Sequence, residues 1–288
     1  MGEGNSRLLL LLLGAAHSLN HSLLLILPLF LLTIVKEFGT SVETIGLVWG
    51  VSLLIYGAGG IVGGQISDRF GETKTIIAGL ALSGISTFIF LFAHNFLELV
   101  VGLLFMAAFA SLYHPTANSL ISKVFHEDMA EAMGIHGTGG NIGYMFAPII
   151  AAVLGGFWGW RSSFIFFGLL SLSLSTLFLK TTPQKLKKTR MSGGIRDAVE
   201  VPGLWTLLVY NMAVGLYYKG VDFIFPTFLE KKSFSPIVAG FAVSCILGVG
   251  ILGQWLSGKA SDLVGPKKVL IATSIGITLG LMFLQVIP

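Results

Sequence analysis

Three polar residues interrupt an apolar run near the N-terminus, which reads RLLLLLLGAAHSLNHSLLLILPLFLLTIV. His17, Asn20 and His21 are spaced i, i+3 and i+4, so they share one face of a helix. A neutral histidine exchanges protons near physiological pH, and polar side chains at membrane depth usually face a bundle interior or a wet cavity. This face is therefore a candidate for binding protons or a polar substrate. The alternative is that these side chains only hydrogen-bond between helices and hold the bundle together.

Two later apolar segments carry further polar residues, LYHPTANSLIS at 112–122 and GIHGTGGNIGYMFAPIIAAVLGG at 134–156. His114 and Asn118 are spaced i and i+4 on one face, and His114 precedes Pro115. A purely structural role is again the alternative, because a histidine can satisfy a carbonyl that a proline kink frees. The candidates for a substrate or proton pathway in these segments are Tyr113, His114, Asn118, His136 and Asn141.

A polar stripe lies on one helical face of the segment 203–229 and consists of Asn211, Gly215, Tyr218, Lys219 and Asp222. Lys219 and Asp222 can form an ion pair, whereas either charge alone costs about 2.5–3.5 kcal/mol at the bilayer centre. Asp222 is the one carboxylate that lies well inside an apolar segment, which makes it the first candidate for proton coupling. An interfacial ion pair without a transport role is the alternative. The pathway candidates in this stripe are Asn211, Tyr218, Lys219 and Asp222.

The composition places these residues in a membrane protein. Of the 288 residues, 54% are hydrophobic and 11% are charged, whereas a soluble domain carries about 25% charged residues. The net charge of +4 does not indicate a nucleic-acid partner, because the basic residues are confined to certain loops. The single cysteine, Cys245, excludes an intrachain disulfide and a cysteine-based metal site. No cofactor and no bound metal are expected.

Nine apolar segments are long enough to be membrane helices, which predicts an all-α integral membrane fold. They cover residues 8–35, 44–66, 74–93, 96–122, 131–155, 161–179, 203–229, 235–257 and 268–287. The predicted organisation is a six-helix half at 1–180, a basic cytoplasmic loop at 181–201 and three further helices at 202–288. Lys and Arg are concentrated in alternate loops on the side of the N-terminus, which predicts a cytoplasmic N-terminus.

A weak internal repeat relates GGQISDRFGETK at 63–74 to SGKASDLVGPKK at 257–268. Asp262 follows Asp68 by 194 positions, and each copy falls in the loop after the second helix of its block. Internal repeats of this kind are typical of secondary transporters. Glycine in such a loop permits a tight turn, and the aspartate can pair with a basic side chain or a helix N-terminus to close a gate. A charged turn without a gating role is the alternative.

With these two loops the chain resembles the major facilitator superfamily, whose loop signature is Gly, three residues, Asp, a basic residue, one residue, Gly and further basic residues. The gating positions that this resemblance implies are Gly64, Asp68, Arg69, Gly71 and Lys74 in the first copy and Gly258, Asp262, Gly265 and Lys268 in the second. Glu72 and Thr73 depart from the basic positions of the signature. The resemblance implies twelve helices in two halves around a central cavity, so this sequence is expected to lack the last three. A naturally shortened protein is the alternative.

The first, fourth and fifth segments resemble the fosmidomycin-resistance-type exporters. Those proteins carry a first-helix His-x-x-Asn motif, which corresponds here to His17 and Asn20. The family commonly continues with Asp, and His21 stands at that position. The fifth segment also resembles the antiporter signature of the superfamily, at Gly134, Gly143 and Pro148.

The predicted function is secondary active transport by alternating access. The resemblance implies a proton-coupled exporter of small polar or anionic compounds of the drug-resistance type, acting as a monomer in the plasma membrane. Uptake of a sugar or organic acid by proton symport on the same fold is the alternative. A membrane metalloenzyme is the third possibility, because His17-x-x-x-His21 resembles a ligand pair. Its histidines are spread in depth and its acids are too few, so the chain is predicted not to be an enzyme.

Overall fold

A computed structural model describes residues 3–181 and 200–284, and every regular element within them is helical. The helices are α1 (Glu3–Leu29), α2 (Leu31–Phe38), α3 (Val42–Phe70), α4 (Glu72–Ser86) with a 3₁₀ helix (Thr87–Phe92), α5 (Phe96–Ala110), α6 (Tyr113–Val124), α7 (Met129–Trp158), α8 (Trp160–Thr181), α9 (Leu204–Lys231), α10 (Pro236–Val264) and α11 (Pro266–Leu284). The all-helical class is thereby confirmed. Most of the predicted central loop, 182–199, lies outside the described residues.

Seven stretches of the described helices are long and apolar enough to cross a membrane. They are Ser6–Leu29, Val42–Phe70, Glu72–Phe92, Phe96–Val124, Glu131–Trp158, Trp160–Lys180 and Pro236–Gly253. The chain is therefore an integral membrane protein. Helices α9 and α11 form where the sequence predicts them but are not among these seven, so the count of nine spans stays a prediction.

Two of the predicted spans are interrupted at a proline. The first divides at Phe30, two residues after Pro28, where the backbone leaves helical geometry at φ −117° and ψ 19°. The fourth divides between α5 and α6, just before Pro115. Proline lacks the N–H that would bond to the carbonyl four residues earlier, and its ring crowds that carbonyl, which accounts for the break on the N-terminal side of Pro115. The break at Phe30 lies on the C-terminal side of Pro28.

The repeated loop signature gives the same local backbone in both copies. Gly71 joins α3 to α4 with φ +96°, and Gly265 joins α10 to α11 with φ +89°. Each glycine N–H donates to a serine carbonyl four residues earlier, in Ser67 and Ser261, at 2.8 and 3.0 Å. A side chain is strained at such φ values, which explains why glycine occupies both positions.

The chain divides into two compact units, Met1–Ser244 and Cys245–Pro288. The first contains a core of fully buried apolar side chains from α1, α4, α6 and α8, among them Leu13, Ile76, Leu120 and Phe178. The second contains the end of α10, the Gly265 turn and α11.

Helices α1 and α7 form the most extensive contact in the first unit. Gly139 and Gly143 of α7 lie against the backbones of Gly14 and Ser18, so closely that a Cβ atom on either glycine would collide with α1. Small residues spaced by four allow two membrane helices to approach at backbone distance. This contact brings the polar face of α1 against α7.

Candidate functional site

His17 occupies the centre of a group of histidines between α1, α6 and α7. Its Nδ1 lies 2.8 Å from the carbonyl oxygen of His136, which can only accept, so Nδ1 carries the proton and donates. The Nε2 atom of His17 lies 2.9 Å from Nε2 of His21. In the neutral pair, His21 therefore donates to the free lone pair of His17.

The rings of four histidines lie against one another in stacked, tilted or edge-on pairs. We term His17, His21, His114 and His136 the histidine cluster. The centroid of His17 lies 4.2 Å from that of His136 and 4.9 Å from that of His114, and the centroids of His21 and His114 are 5.2 Å apart. The expectation that the histidines are spread in depth is therefore wrong for these four. His114 lies on α6, 97 positions after His17 of α1. Its ring joins the cluster only because α6 packs beside α1.

Tyr113 fixes the orientation of His136. The Tyr113 hydroxyl donates to the carbonyl of Leu13, and His136 Nε2 lies 3.1 Å from the same hydroxyl oxygen. Since the hydroxyl proton is used on Leu13, His136 Nε2 donates to Tyr113. His136 is buried at 3% exposure and is held by this bond.

Asn20 joins three helices and has its hydrogen bonds satisfied. Its amide nitrogen donates to the carbonyl of Ala110 at 2.8 Å, and its amide oxygen accepts from Tyr56 at 2.5 Å. The Tyr56 ring in turn lies edge-on to His114, with centroids 6.0 Å apart. Tyr56 was not predicted as a site residue, because it is a single tyrosine in an apolar segment.

The predicted ion pair of the seventh segment forms. Lys219 Nζ lies 3.0 Å from Asp222 Oδ2 and also donates to the hydroxyl of Tyr144 at 2.9 Å. The Lys219 ammonium lies above the rings of Tyr144 and Tyr218, 5.0 and 4.9 Å from their centroids, where cation–π attraction contributes. The Tyr144 ring lies 4.3 Å from that of His21. Tyr144, which sequence reasoning missed, thus joins the ion pair of α9 to the histidine cluster.

Asn118 and Asn211 make no hydrogen bond to this group among the residues that the structure describes. Asn118 is exposed on α6, and Asn141 is half-buried on α7. Asn211 is exposed and its amide donates to the carbonyl of Leu207 on its own helix at 2.8 Å. Within the described part of the α9 stripe, Lys219 thus donates to another helix, whereas Asn211 donates to its own.

Glycine at position 140 makes room for the cluster. A Cβ atom there would lie 2.6–2.8 Å from three atoms of the His17 ring, whereas one on Gly134 would meet nothing within 4 Å. Of the antiporter-like positions, Gly143 thus lies at the contact with α1 and Gly134 does not. Pro148 lies within α7, which continues through it.

In the first signature loop the aspartate and the basic residues of the motif are exposed, and Glu72 makes the contact with another helix. Asp68, Arg69 and Lys74 are exposed, and Asp68 has no hydrogen-bond or ion-pair partner among the described residues. Glu72 instead is buried, pairs with Lys123 of α6 and accepts from Ser119 at 3.1 Å. The gating role of Asp68 stays a prediction.

In the second loop, Lys268 is exposed and Gly265 forms the turn. The side chain of Asp262 and the surroundings of Gly258 lie outside what the structure describes.

A second polar contact lies at the other end of the helices. Arg161 donates through Nη2 to Glu37 at 2.6 Å and through Nε to the carbonyl of Phe90 at 2.9 Å, and Trp160 Nε1 donates to Glu37 at 2.8 Å. The hydrogen bond from Arg161 lowers the pKa of the Glu37 carboxyl from its ordinary value of 4.5. This contact ties α2 to the start of α8.

A groove of about 800 Å³ lies between α1, α7 and α8 and is lined mostly by apolar side chains. None of the predicted pathway residues lines it. The polar group around His17, Tyr144 and Lys219 is therefore the better candidate for the functional site.

Among the described residues, the histidine cluster also provides a set that could hold a metal ion. One ring nitrogen from each of His17, His21 and His114 lies within 4.8 Å of the others.

Apolar helices of membrane-spanning length around a buried polar group, with a turn repeated at Gly71 and Gly265, fit the architecture of a secondary transporter. The chain belongs to the Major Facilitator Superfamily, whose family model matches residues 10–288. Membership of this family indicates membrane transport rather than enzymatic catalysis.

Two curated relatives and one solved structure illustrate the relationship. The MFS-type transporter pytF of Aspergillus terreus is 28% identical over 240 residues, which cover 79% of this chain and 78% of that protein. The probable sulfoacetate transporter SauU of Cupriavidus necator is 26% identical over 254 residues, covering 79% of this chain and 58% of that protein. A crystal structure of a bacterial homolog to the human lysosomal transporter Spinster, inward-facing and occupied, superposes with a TM-score of 0.81 at 20% identity.

That superposition covers 93% of this chain and 63% of the homolog. The chain thus spans about three fifths of two of these three proteins. The likeness to the solved structure shows the fold.

Proposed function

We propose that the chain is a proton-coupled transporter of small organic anions that works by alternating access. The observation that carries this proposal is the Lys219–Asp222 ion pair, which lies against Tyr144 and, through it, against the histidine cluster. Lys219 is the cation that would bind an anionic group, and Asp222 is the carboxylate that would bind the coupling proton. The name of one relative, a sulfoacetate transporter, supports a small anion as substrate.

The ion pair favours the binding of proton and anion together. While Asp222 is ionised, it occupies Lys219 and competes with an incoming anion. Protonation of Asp222 removes this competitor and leaves the ammonium to bind the anion. Two ligands that each strengthen the binding of the other are coupled reciprocally, so proton and anion would cross the membrane in the same direction. The geometry therefore favours the symport of an organic acid.

Proton-driven export remains the second candidate. It is favoured by the resemblance of α7 to the antiporter signature and by the backbone contact that Gly143 makes with α1. The resemblance to fosmidomycin-resistance-type exporters belongs to this candidate. A cytoplasmic N-terminus, a plasma-membrane location and a monomeric state are part of both proposals.

Proteoliposomes with an external pH-sensitive dye distinguish the two candidates. A panel of small carboxylates and sulfonates, including sulfoacetate, is added outside without an imposed gradient. Symport is expected to alkalinise the external medium as the anion enters. Acidification of the medium, as protons leave in exchange, would instead establish export-type coupling.

Asp222→Asn tests the residue assignment in the same vesicles. This change should abolish proton movement while anion binding, measured by thermal shift, persists. The matched control is Glu230→Gln, which removes a half-buried carboxylate eight residues farther along α9. Equal proton movement in Asp222→Asn and the wild type would eliminate Asp222 as the coupling residue.

A further inference from the structure

We propose that His17, His21 and His114 form a binding site for one divalent transition-metal ion of the zinc class. One ring nitrogen from each of these residues lies within 4.8 Å of the other two, and the side chains come from α1 and α6. Imidazole nitrogen is a favoured ligand of Zn²⁺, Cu²⁺ and Ni²⁺. The sequence predicted no metal, because it did not show that α6 would bring His114 beside the i and i+4 pair of α1.

The spacing of the nitrogens suits a tetrahedral ion. Zinc–nitrogen bonds of about 2.05 Å at tetrahedral angles hold two ligand nitrogens about 3.3 Å apart. The ligand nitrogens of the set lie within 4.8 Å of one another. Rotation of the rings must therefore bring the three nitrogens closer, to the spacing that one ion requires.

The surroundings of His17 already orient it as a ligand. Metal-bound histidines almost always donate their other ring N–H to a carbonyl or carboxylate, which fixes the tautomer. His17 Nδ1 donates to the carbonyl of His136 at 2.8 Å, which leaves the Nε2 lone pair directed at His21. Gly140 contributes by leaving space for this ring.

A second and independent observation concerns His21. Its Nδ1 atom is buried and has no hydrogen-bond partner among the described residues. A buried polar atom without a partner costs about 1–3 kcal/mol, so the site is expected to hold something that satisfies it. In the neutral pair His21 Nε2 donates to His17 Nε2, so Nδ1 of His21 carries a free lone pair. Metal binding would break this hydrogen bond, which frees the lone pair of His17 Nε2 for the ion while His21 coordinates through Nδ1.

The fourth histidine of the cluster is not a ligand. His136 Nε2 donates to the hydroxyl oxygen of Tyr113, and its own backbone carbonyl accepts from His17. The site therefore has three protein ligands and an open position, as catalytic and exchangeable zinc sites do. The open position would take water or one oxygen of an anion. Lys219 lies beyond Tyr144 with its charge balanced by Asp222, which limits its repulsion of the ion.

The test is metal binding to the purified full chain in detergent after treatment with a chelator. Titration with Co²⁺ reports coordination by its visible absorption, and competition with Zn²⁺ gives the affinity. We expect one ion per chain. His17→Gln, His21→Gln and His114→Gln should each weaken binding by about 100-fold or more, since even the loss of an outer hydrogen-bond partner costs 10–100-fold.

Matched controls separate ligands from other histidines. The control combines His94→Gln with His126→Gln, which removes two histidines outside the cluster. This double variant should bind Co²⁺ within about threefold of the wild type, because it removes neither a ligand nor a residue that orients one. Binding that follows these two histidines, or that persists at wild-type affinity in all three ligand variants, would overturn the proposal.

Thermal unfolding keeps the proposal testable if a glutamine variant fails to fold. Zn²⁺ should raise the Tm of the wild type and leave that of His114→Asn unchanged. An equal rise in both would overturn the assignment. These binding measurements do not depend on the proposed function, because proton movement is assayed separately in metal-free vesicles. We also expect Zn²⁺ to inhibit proton movement, because the bound ion would lie beside Tyr144 on the pathway. This expectation rests on the proposed function.

Discussion

The coupling between Lys219 and Asp222 can be measured with a double-mutant cycle. Lys219→Gln or Asp222→Asn alone leaves one charged group in a partly buried position without its partner. Each single change should therefore lower the free energy of unfolding by about 3 kcal/mol. The double variant removes both charges, so it should lose clearly less than the sum of the two single changes.

The magnitude follows from the geometry of the pair. Unit charges 3.0 Å apart attract by about 5.5 kcal/mol at an effective dielectric constant of about 20. The side chain of Lys219 retains 29% of its exposure and that of Asp222 retains 12%, so solvent screens part of this attraction. We expect a coupling energy of about 2 kcal/mol, toward the low end of the values measured for close charge pairs.

The assay is equilibrium unfolding in mixed micelles, titrated with denaturing detergent. The control cycle combines Lys219→Gln with Glu230→Gln, which lies about 16 Å farther along the helix axis. Changes at that distance should be additive within about 0.5 kcal/mol. If the effects of Lys219→Gln and Asp222→Asn on the free energy of unfolding are equally additive, the two charges do not stabilise each other. That result would also remove the basis of the symport proposal, in which Asp222 competes with the anion for Lys219.

Two further predictions concern local packing and pH. Gly140→Ala should displace the ring of His17 and lower stability by about 1–3 kcal/mol, together with metal affinity. Gly137→Ala meets open space, so it should leave metal affinity unchanged and should not lower stability. Thermal unfolding and Co²⁺ titration measure the two effects. Glu37→Gln should flatten the fall of Tm in acid. Because the hydrogen bond from Arg161 lowers the pKa of Glu37 from 4.5, its stabilisation is present at neutral pH and is lost as the pH falls through the lowered value. Equal acid dependence in both proteins would contradict this.

Several features of the molecule were predictable because they depend on local sequence. Apolar length predicted the helices. The repeated signature predicted the turns at Gly71 and Gly265, where glycine permits the positive φ values that these turns adopt. The ion pair of Lys219 and Asp222 was predictable for the same reason, since residues three apart on a helix are neighbours whatever the helix packs against.

Other predictions stay open because they depend on how the helices pack. Asn118 and Asn211 have helical spacings as good as those of the site residues, yet both are exposed. Spacing defines a face but not the neighbour that the face meets. Glu72 appeared only as a departure from a motif, and its partner Lys123 lies 51 positions later in the chain.

The sequence by itself therefore determined the class of the protein, its membrane helices and the chemistry available on each face. The tertiary structure decided which of these faces meet. The glycine contact between α1 and α7 and the approach of α6 bring His17, His21 and His114 together, and Tyr144 connects them to Lys219. Such contacts depend on the rotation and depth of each helix, which many side chains set jointly and no local pattern encodes.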